Sequence, residues 1–175
     1  FPPDPTGADG GVQFRDVTSE AGISFRHVHG GEGAKRHYIE TMCGGVAFFD
    51  YDGDGYPDLY GVNGQHLTDA ARQRATNRLF HNRRNGTFTD VTATAGAGDE
   101  GYGMGVVAGD YDNDGDQDLY VTNFGANVLY RNDGGTRLSA IGRAAGVDDG
   151  RWGVGGAFLD YDNDGDLDLY VANYL

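Results

Sequence analysis

The sequence predicts an all-β chain of four-stranded antiparallel blades of the β-propeller type, about two and a half of them in 175 residues. Three observations lead there. An acidic string recurs at a wide period, as DYDGDGYPD at 50–58, DYDNDGDQD at 110–118 and DYDNDGDLD at 160–168, so the spacing is 60 and then 50 residues. The flanks recur with it: GGVAFFD, GMGVVAGD and GVGGAFLD before the string, DLYGVNG, DLYVTNF and DLYVANYL after it. A further pair, NRLFHNRRNGTFTDVTATAG at 77–96 and NVLYRNDGGTRLSAIGRAAG at 127–146, follows the first two copies. Four-stranded units repeated every 40–60 residues or so are the pattern of propeller blades.

Taken in order, residues 12–43 form an N-terminal strand and loop. VQFRDVTSEAGI at 12–23 matches TFTDVTATAGA at 87–97 and is expected to be a fourth strand lacking its first three. RHVHGGEGAKRHYIET at 26–41 has no partner among the repeats and is read as a loop or added hairpin. Repeat 1 covers 44–103. Its runs VAFF, LYGV, RLFHN and TFTDVT are short and rich in β-branched and aromatic residues, hence strands. Asn85-Gly86 is the dipeptide of a type I′ hairpin turn, and Asp133-Gly134 serves in the same place in repeat 2, which covers 104–153. TDAARQRAT at 68–76 suits a short surface helix and accounts for most of the longer first period. Residues 154–175 make a half repeat, and the whole of 1–175 is one repeat domain.

Composition narrows the function. The formal charge of −14 argues against nucleic acid, whose phosphates require a basic surface. No run approaches the roughly 18 apolar residues of a membrane-spanning helix. The three strings hold four, five and five aspartates, 14 of the 27 acidic residues, so the charge is concentrated where a cation could sit. Cys43 is alone and can form no internal disulfide; it reads as a small buried filler. The first residue is Phe1 rather than methionine, as expected after removal of a secretory signal or in a fragment of a longer chain.

Counting from the first aspartate of each string, offsets 1, 3, 5 and 9 are carboxylates that can turn inward. They are Asp50, Asp52, Asp54 and Asp58, then Asp110, Asp112, Asp114 and Asp118, then Asp160, Asp162, Asp164 and Asp168. Offset 7 (Tyr56, Asp116, Asp166) offers its carbonyl, with the Asp116 and Asp166 side chains turned outward, and glycine at offset 6 permits the bend. A set made only of hard oxygens selects calcium or magnesium over zinc, copper or iron. Five protein ligands with room for water suit calcium's flexible six to eight oxygens better than octahedral magnesium, so about three Ca2+ ions are expected, one per loop. The loops are not EF-hands: offset 12, where a bidentate glutamate belongs, is Gly61, Val121 or Val171, and the flanks are strands.

With loop and flanks taken together, GGVAFFDYDGDGYPDLYGVNG and its echoes resemble FG-GAP/VCBS repeats, the calcium-binding blades of integrin-type propellers. FRDVTSEAGISFRHVHG followed by YIETMCGGVAFFDYDGDG resembles more narrowly the ASPIC/UnbV-associated group that includes the cartilage acidic proteins. The resemblance covers almost the whole chain. It implies a secreted or cell-surface propeller with calcium in its blade loops, and it brings no shared catalytic residues. Such propellers have about seven blades, and this chain supplies fewer than three.

The expected function is therefore a calcium-binding extracellular repeat protein, not an enzyme, with a structural, adhesive or recognition role. Its expected partners are other copies of itself, joined by strand complementation into a ring or filament, or the rest of a longer propeller, with an extracellular protein or glycan as ligand. The alternative is a fragment of a longer secreted propeller that binds a ligand or carries an enzymatic activity. Three minor features complete the reading. His27, His29 and His37, with Glu32 and Glu40, could form a transition-metal site, but no regular spacing supports one. Asn85-Gly86-Thr87 is formally a glycosylation sequon, which the hairpin turn already explains. Ser19, Ser24 and Ser139 lack the context of an activated nucleophile.

Overall fold

The computed structural model describes residues 13–30, 35–42, 44–67 and 74–174. Cys43, Glu32 and most of the expected surface helix at 68–76 lie outside them. The described elements are almost all strands: β1 (Val46–Phe49), β2 (Asp58–Gly61), β3 (Arg78–Asn82), β4 (Phe88–Asp90), β5 (Tyr102–Gly109), β6 (Asp118–Asn132), β7 (Leu138–Ala140), β8 (Trp152–Leu159) and β9 (Asp168–Tyr174). Two helical turns, α1 (Thr92–Ala95) and α2 (Gly142–Ala145), follow β4 and β7.

The first blade is an antiparallel sheet in the order β1-β2-β3-β4, with the aspartate string joining its first two strands. The second blade contains the same four strands, but its second and third run on as one element, β6, of 15 residues. A straight strand of that length would separate its ends by roughly 45 Å. Instead the Asn132 N–H donates to Asp118 Oδ1 at 2.8 Å, so β6 folds back on itself around Gly125, whose φ is +112°. β5 pairs with its first limb and β7 with its second. β8 and β9 form a half blade, joined to β6 through the single pair Phe124 and Trp152.

Each connection between first and second strands has the same register: Phe49 pairs with Asp58, Gly109 with Asp118 and Leu159 with Asp168. The glycine runs before the strings let the first strands of neighbouring blades pack closely. A Cβ added at Gly45 would lie 2.9 Å from Gly105 Cα. The main core cluster is shared by blades 1 and 2 and includes Phe49, Tyr60, Leu79, Leu119, Val121, Tyr130 and Leu138, and a smaller cluster joins Ile39, Tyr102 and Met104.

Two expectations need correction. Residues 13–17 are not a strand; among the described residues of this segment, the Ala21 carbonyl makes the backbone bond to the sheet, accepting the Phe88 N–H at 2.8 Å. What this segment keeps of the repeat is its local part. Asp16 Oδ1 accepts the Thr18 N–H, Ala21 N–H bonds to Val17 O, and Gly22 has φ +74°, as Asp90, Thr92, Ala95, Val91 and Gly96 do at α1. A helical turn closes on itself, whereas a strand requires a neighbour's ladder.

The hairpin at 83–87 is not a type I′ turn on Asn85-Gly86, because its positive φ angles fall at Arg84 (+61°) and Gly86 (+81°). The Asn85 side chain instead accepts the Thr87 N–H and hydroxyl. In the second copy the positive angles shift likewise, to Gly134 and Gly135. Of the two forms expected for 26–41, the described part takes the loop. It lies over the sheet ends opposite the aspartate loops, with the Val28 N–H on Asn63 Oδ1 and the Tyr102 hydroxyl on Ile39 O, and contains one 3-10 turn, Tyr38–Thr41.

Candidate metal centres

The three aspartate loops have one backbone conformation. The first aspartate receives two amides from across its own loop. In the first loop, Asp50 takes the Asp54 N–H at 3.1 Å and the Gly55 N–H at 2.8 Å. Asp110 takes those of Asp114 and Gly115 at 3.1 and 3.0 Å. Asp160 takes those of Asp164 and Gly165 at 3.2 and 3.1 Å. The fifth-offset aspartates each accept the N–H two residues on, from Tyr56, Asp116 and Asp166. Two positions in each loop have positive φ: offset 4 (Gly53, Asn113, Asn163) and offset 6 (Gly55, Gly115, Gly165). Glycine and asparagine tolerate this region best, so the Gly/Asn exchange at offset 4 was a signal of a left-handed residue that the sequence reading passed over.

This wrapping brings offsets 1, 3 and 9 together. Asp50, Asp52 and Asp58 each place a carboxylate oxygen within 4.8 Å of the other two, as do Asp110, Asp112 and Asp118, and Asp160, Asp162 and Asp168. Offset 5 stands outside these triads, although Asp54 joins Asp52 and His81 in a second grouping. At such distances each carboxylate pair repels by on the order of 3 kcal/mol at an effective dielectric near 20. Offset 7 projects elsewhere: Asp116 Oδ2 accepts the Gly134 N–H, and Asp166 Oδ1 accepts from Asn113 of the preceding loop.

The ninth-offset aspartate is the buried member. Asp58 and Asp118 are both fully covered. Asp118 Oδ2 accepts the Tyr111 N–H at 3.0 Å and its Oδ1 the Asn132 N–H at 2.8 Å; Asp58 is held the same way by Tyr51 and Asn82. Burial nevertheless pushes the Asp118 carboxyl up to about 6, against those two amides, with the charges of Asp112 and Asp114 adding to the rise. Asp58 is raised for the same leading reason, and Asp112 by burial together with Asp114 and Asp110. Each rise marks negative charge placed close together and poorly hydrated, a situation a divalent cation would reverse.

Asn82 and Asn132 went unnoticed in the sequence, although both end their third strands identically, in RLFHN and VLYRN. Their side chains donate to Pro57 O and Gln117 O, and Asn132 also to Tyr51 O of the neighbouring blade. His81 and Arg84 were likewise missed; both contact the first loop. The histidines that were noticed do not converge. His27 Nε2 receives the Gly44 N–H, with its pKa lowered mainly by burial, while His29 lies beside Lys35. Among the described residues they form no cluster with metal-ligand spacing.

A family model described as FG-GAP-like repeat matches residues 50–121 and again 110–171, each match running from one aspartate loop through the next. The chain belongs to the FG-GAP-like repeat family. It is also 32% identical over 132 residues to human cartilage acidic protein 1 and 31% identical over 132 residues to the mouse protein, which covers 73% of this chain in both cases. The chain spans only 16% and 17% of those relatives' lengths. No helix among the described residues is long and apolar enough to cross a membrane.

Proposed function

We propose that this FG-GAP-like chain is an extracellular, calcium-binding repeat module in which each aspartate loop holds one Ca2+ and pins the first strand of its blade to the second. The supporting observation is the threefold carboxylate triad: three oxygens within 4.8 Å, at the same offsets and the same strand register, in every loop. The donor set fits the ion. Asp110, Asp112 and Asp118 would hold it in the second loop, with Asp114 and the Asp116 carbonyl completing the shell, and the other loops follow suit. Three ions would bring the formal charge from −14 to −8. Millimolar extracellular calcium would fill even weak loops.

The role served is structural, adhesive or recognition. Consecutive loops are laced together, Asp50 N–H to Gln117 Oε1 and Asn113 Nδ2 to Asp166 Oδ1, so an ion in one loop steadies the next. A partner is proposed at β9. Tyr60 and Tyr120 are fully buried, yet their counterpart Tyr170 is 65% exposed, and among the described residues no strand pairs with the outer edge of β9. A strand patterned like β3 completes that blade, supplied by another copy or by further chain.

Thermal unfolding with and without excess EDTA tests the calcium reading. A loss of more than about 10 °C in Tm is expected, since each site filled at 100 times its Kd adds about 2.7 kcal/mol. An unchanged Tm contradicts the reading. Light scattering tests the β9 edge, where a well-folded monomer excludes self-assembly.

A further inference from the structure

The first loop differs from its copies in carrying its own cation, Arg84, with the His81 imidazole beside it. Arg84 Nε donates to Asp54 Oδ2 at 2.7 Å and its Nη2 lies 2.6 Å from the same oxygen. The guanidinium sits 5.2 Å from the centre of the Tyr56 ring. Asp54 is thereby covered, its side chain only 9% exposed, and its pKa is lowered: burial raises it, but Arg84 and the Tyr56 amide outweigh burial. His81 Nδ1 lies 3.1 Å from Asp58 Oδ1 and 3.5 Å from Asp52 Oδ2, between two members of the triad.

The second blade has neither contact. The bonds from Val91 N–H to Leu79 O and from Ile141 N–H to Leu129 O align the two hairpins, so Arg131 stands at the position of His81 and Gly134 at that of Arg84. Arg131 turns to Asp133, at 2.7 Å, and Gly134 offers only its N–H to Asp116. Among the described residues no arginine, lysine or histidine forms an ion pair with the aspartates of the second or third loop. The first loop also has one carboxylate fewer, with Tyr56 where the others have Asp116 and Asp166.

We propose that Arg84, with His81 beside it, is a built-in counter-cation that keeps the first loop organised without a divalent ion and makes it the weakest calcium site of the three. The inference rests on the calcium reading above. An ion entering this loop must share Asp54 with the guanidinium or displace it. A single positive charge about 6 Å from a divalent ion opposes binding by about tenfold even at the dielectric of water.

The test is a calcium titration of the chelated full chain followed by the amide resonances of Gly55, Gly115 and Gly165, one reporter per loop. Gly115 and Gly165 should respond first, with Gly55 following at about tenfold higher calcium. Arg84→Gln should lower the Gly55 midpoint by about tenfold and leave the other two in place. The reciprocal Gly134→Arg has open space around its Cβ, at a φ of +71° close to the +61° that Arg84 already adopts, and should raise the Gly115 midpoint. The inference is overturned if Gly55 responds with or before the others, or if neither substitution moves a midpoint. If no glycine responds at millimolar calcium, the calcium reading itself fails.

Discussion

The second and third aspartate loops are nearly identical in sequence, DYDNDGDQD and DYDNDGDLD, yet occupy different surroundings. Their local bonding is the same: Asp110 and Asp160 each gather two loop amides at 3.0–3.2 Å, and Asn113 and Asn163 have φ near +60°. They part at the ninth offset. Asp118 is fully buried and bonded on both oxygens, whereas Asp168 is exposed and, among the described residues, receives only the Tyr161 N–H, on Oδ2. The missing donor is the third-strand amide that Asn132 supplies in blade 2. The loop is therefore a local structure, and the burial of its last aspartate is a tertiary one.

That comparison can be broken most directly at the ninth aspartate. Asp118→Ala strands the amides of Tyr111 and Asn132 in a buried site and should cost more than about 3 kcal/mol, whereas Asp168→Ala should cost less than about 1 kcal/mol. Chemical denaturation of both variants checks this, and equal losses would refute the division into local and tertiary parts.

A smaller effect appears with pH. In the calcium-free chain the folded Asp118 carboxyl sits near 6, above the ordinary 3.8, so the native state holds the extra proton between these values. The contribution of this carboxyl should then be full below about pH 4 and fall by about 2–3 kcal/mol as pH rises through 6, while the lowered carboxylates Asp54, Asp90, Asp133 and Asp149 lose their own contribution only in more acid solution. Calcium should remove this fall, and Asp118→Asn should remove the part due to Asp118; melting curves across pH in EDTA read both.

Smaller again is the strain at offset 4. Asn113→Gly and Asn163→Gly should each change stability by less than about 0.5 kcal/mol, and by the same amount, because the strain is internal to the loop.

The same division explains what the sequence made legible. Strand count, blade type and the grouping of offsets 1 and 3 depend on residues close in the chain, where spacing and flanks carry the information. The Asn82 and Asn132 amides act on Asp58 and Asp118 from 24 and 14 residues away, with no pattern inside the acidic string to announce them. Arg84 was hidden differently. It lies in a hairpin read for its Asn85-Gly86 dipeptide, and only the fold brings that hairpin back over Asp54. The N-terminal FRDVT erred the other way, because its repeat likeness was real for the helical turn but a strand depends on a partner.

The central claim is that these loops are built to hold calcium, and counting the ions tests it most directly. Isothermal titration of calcium into the chelated full chain should give three ions per chain, two bound more tightly than the third. Saturation with no bound calcium at millimolar concentration would contradict the account.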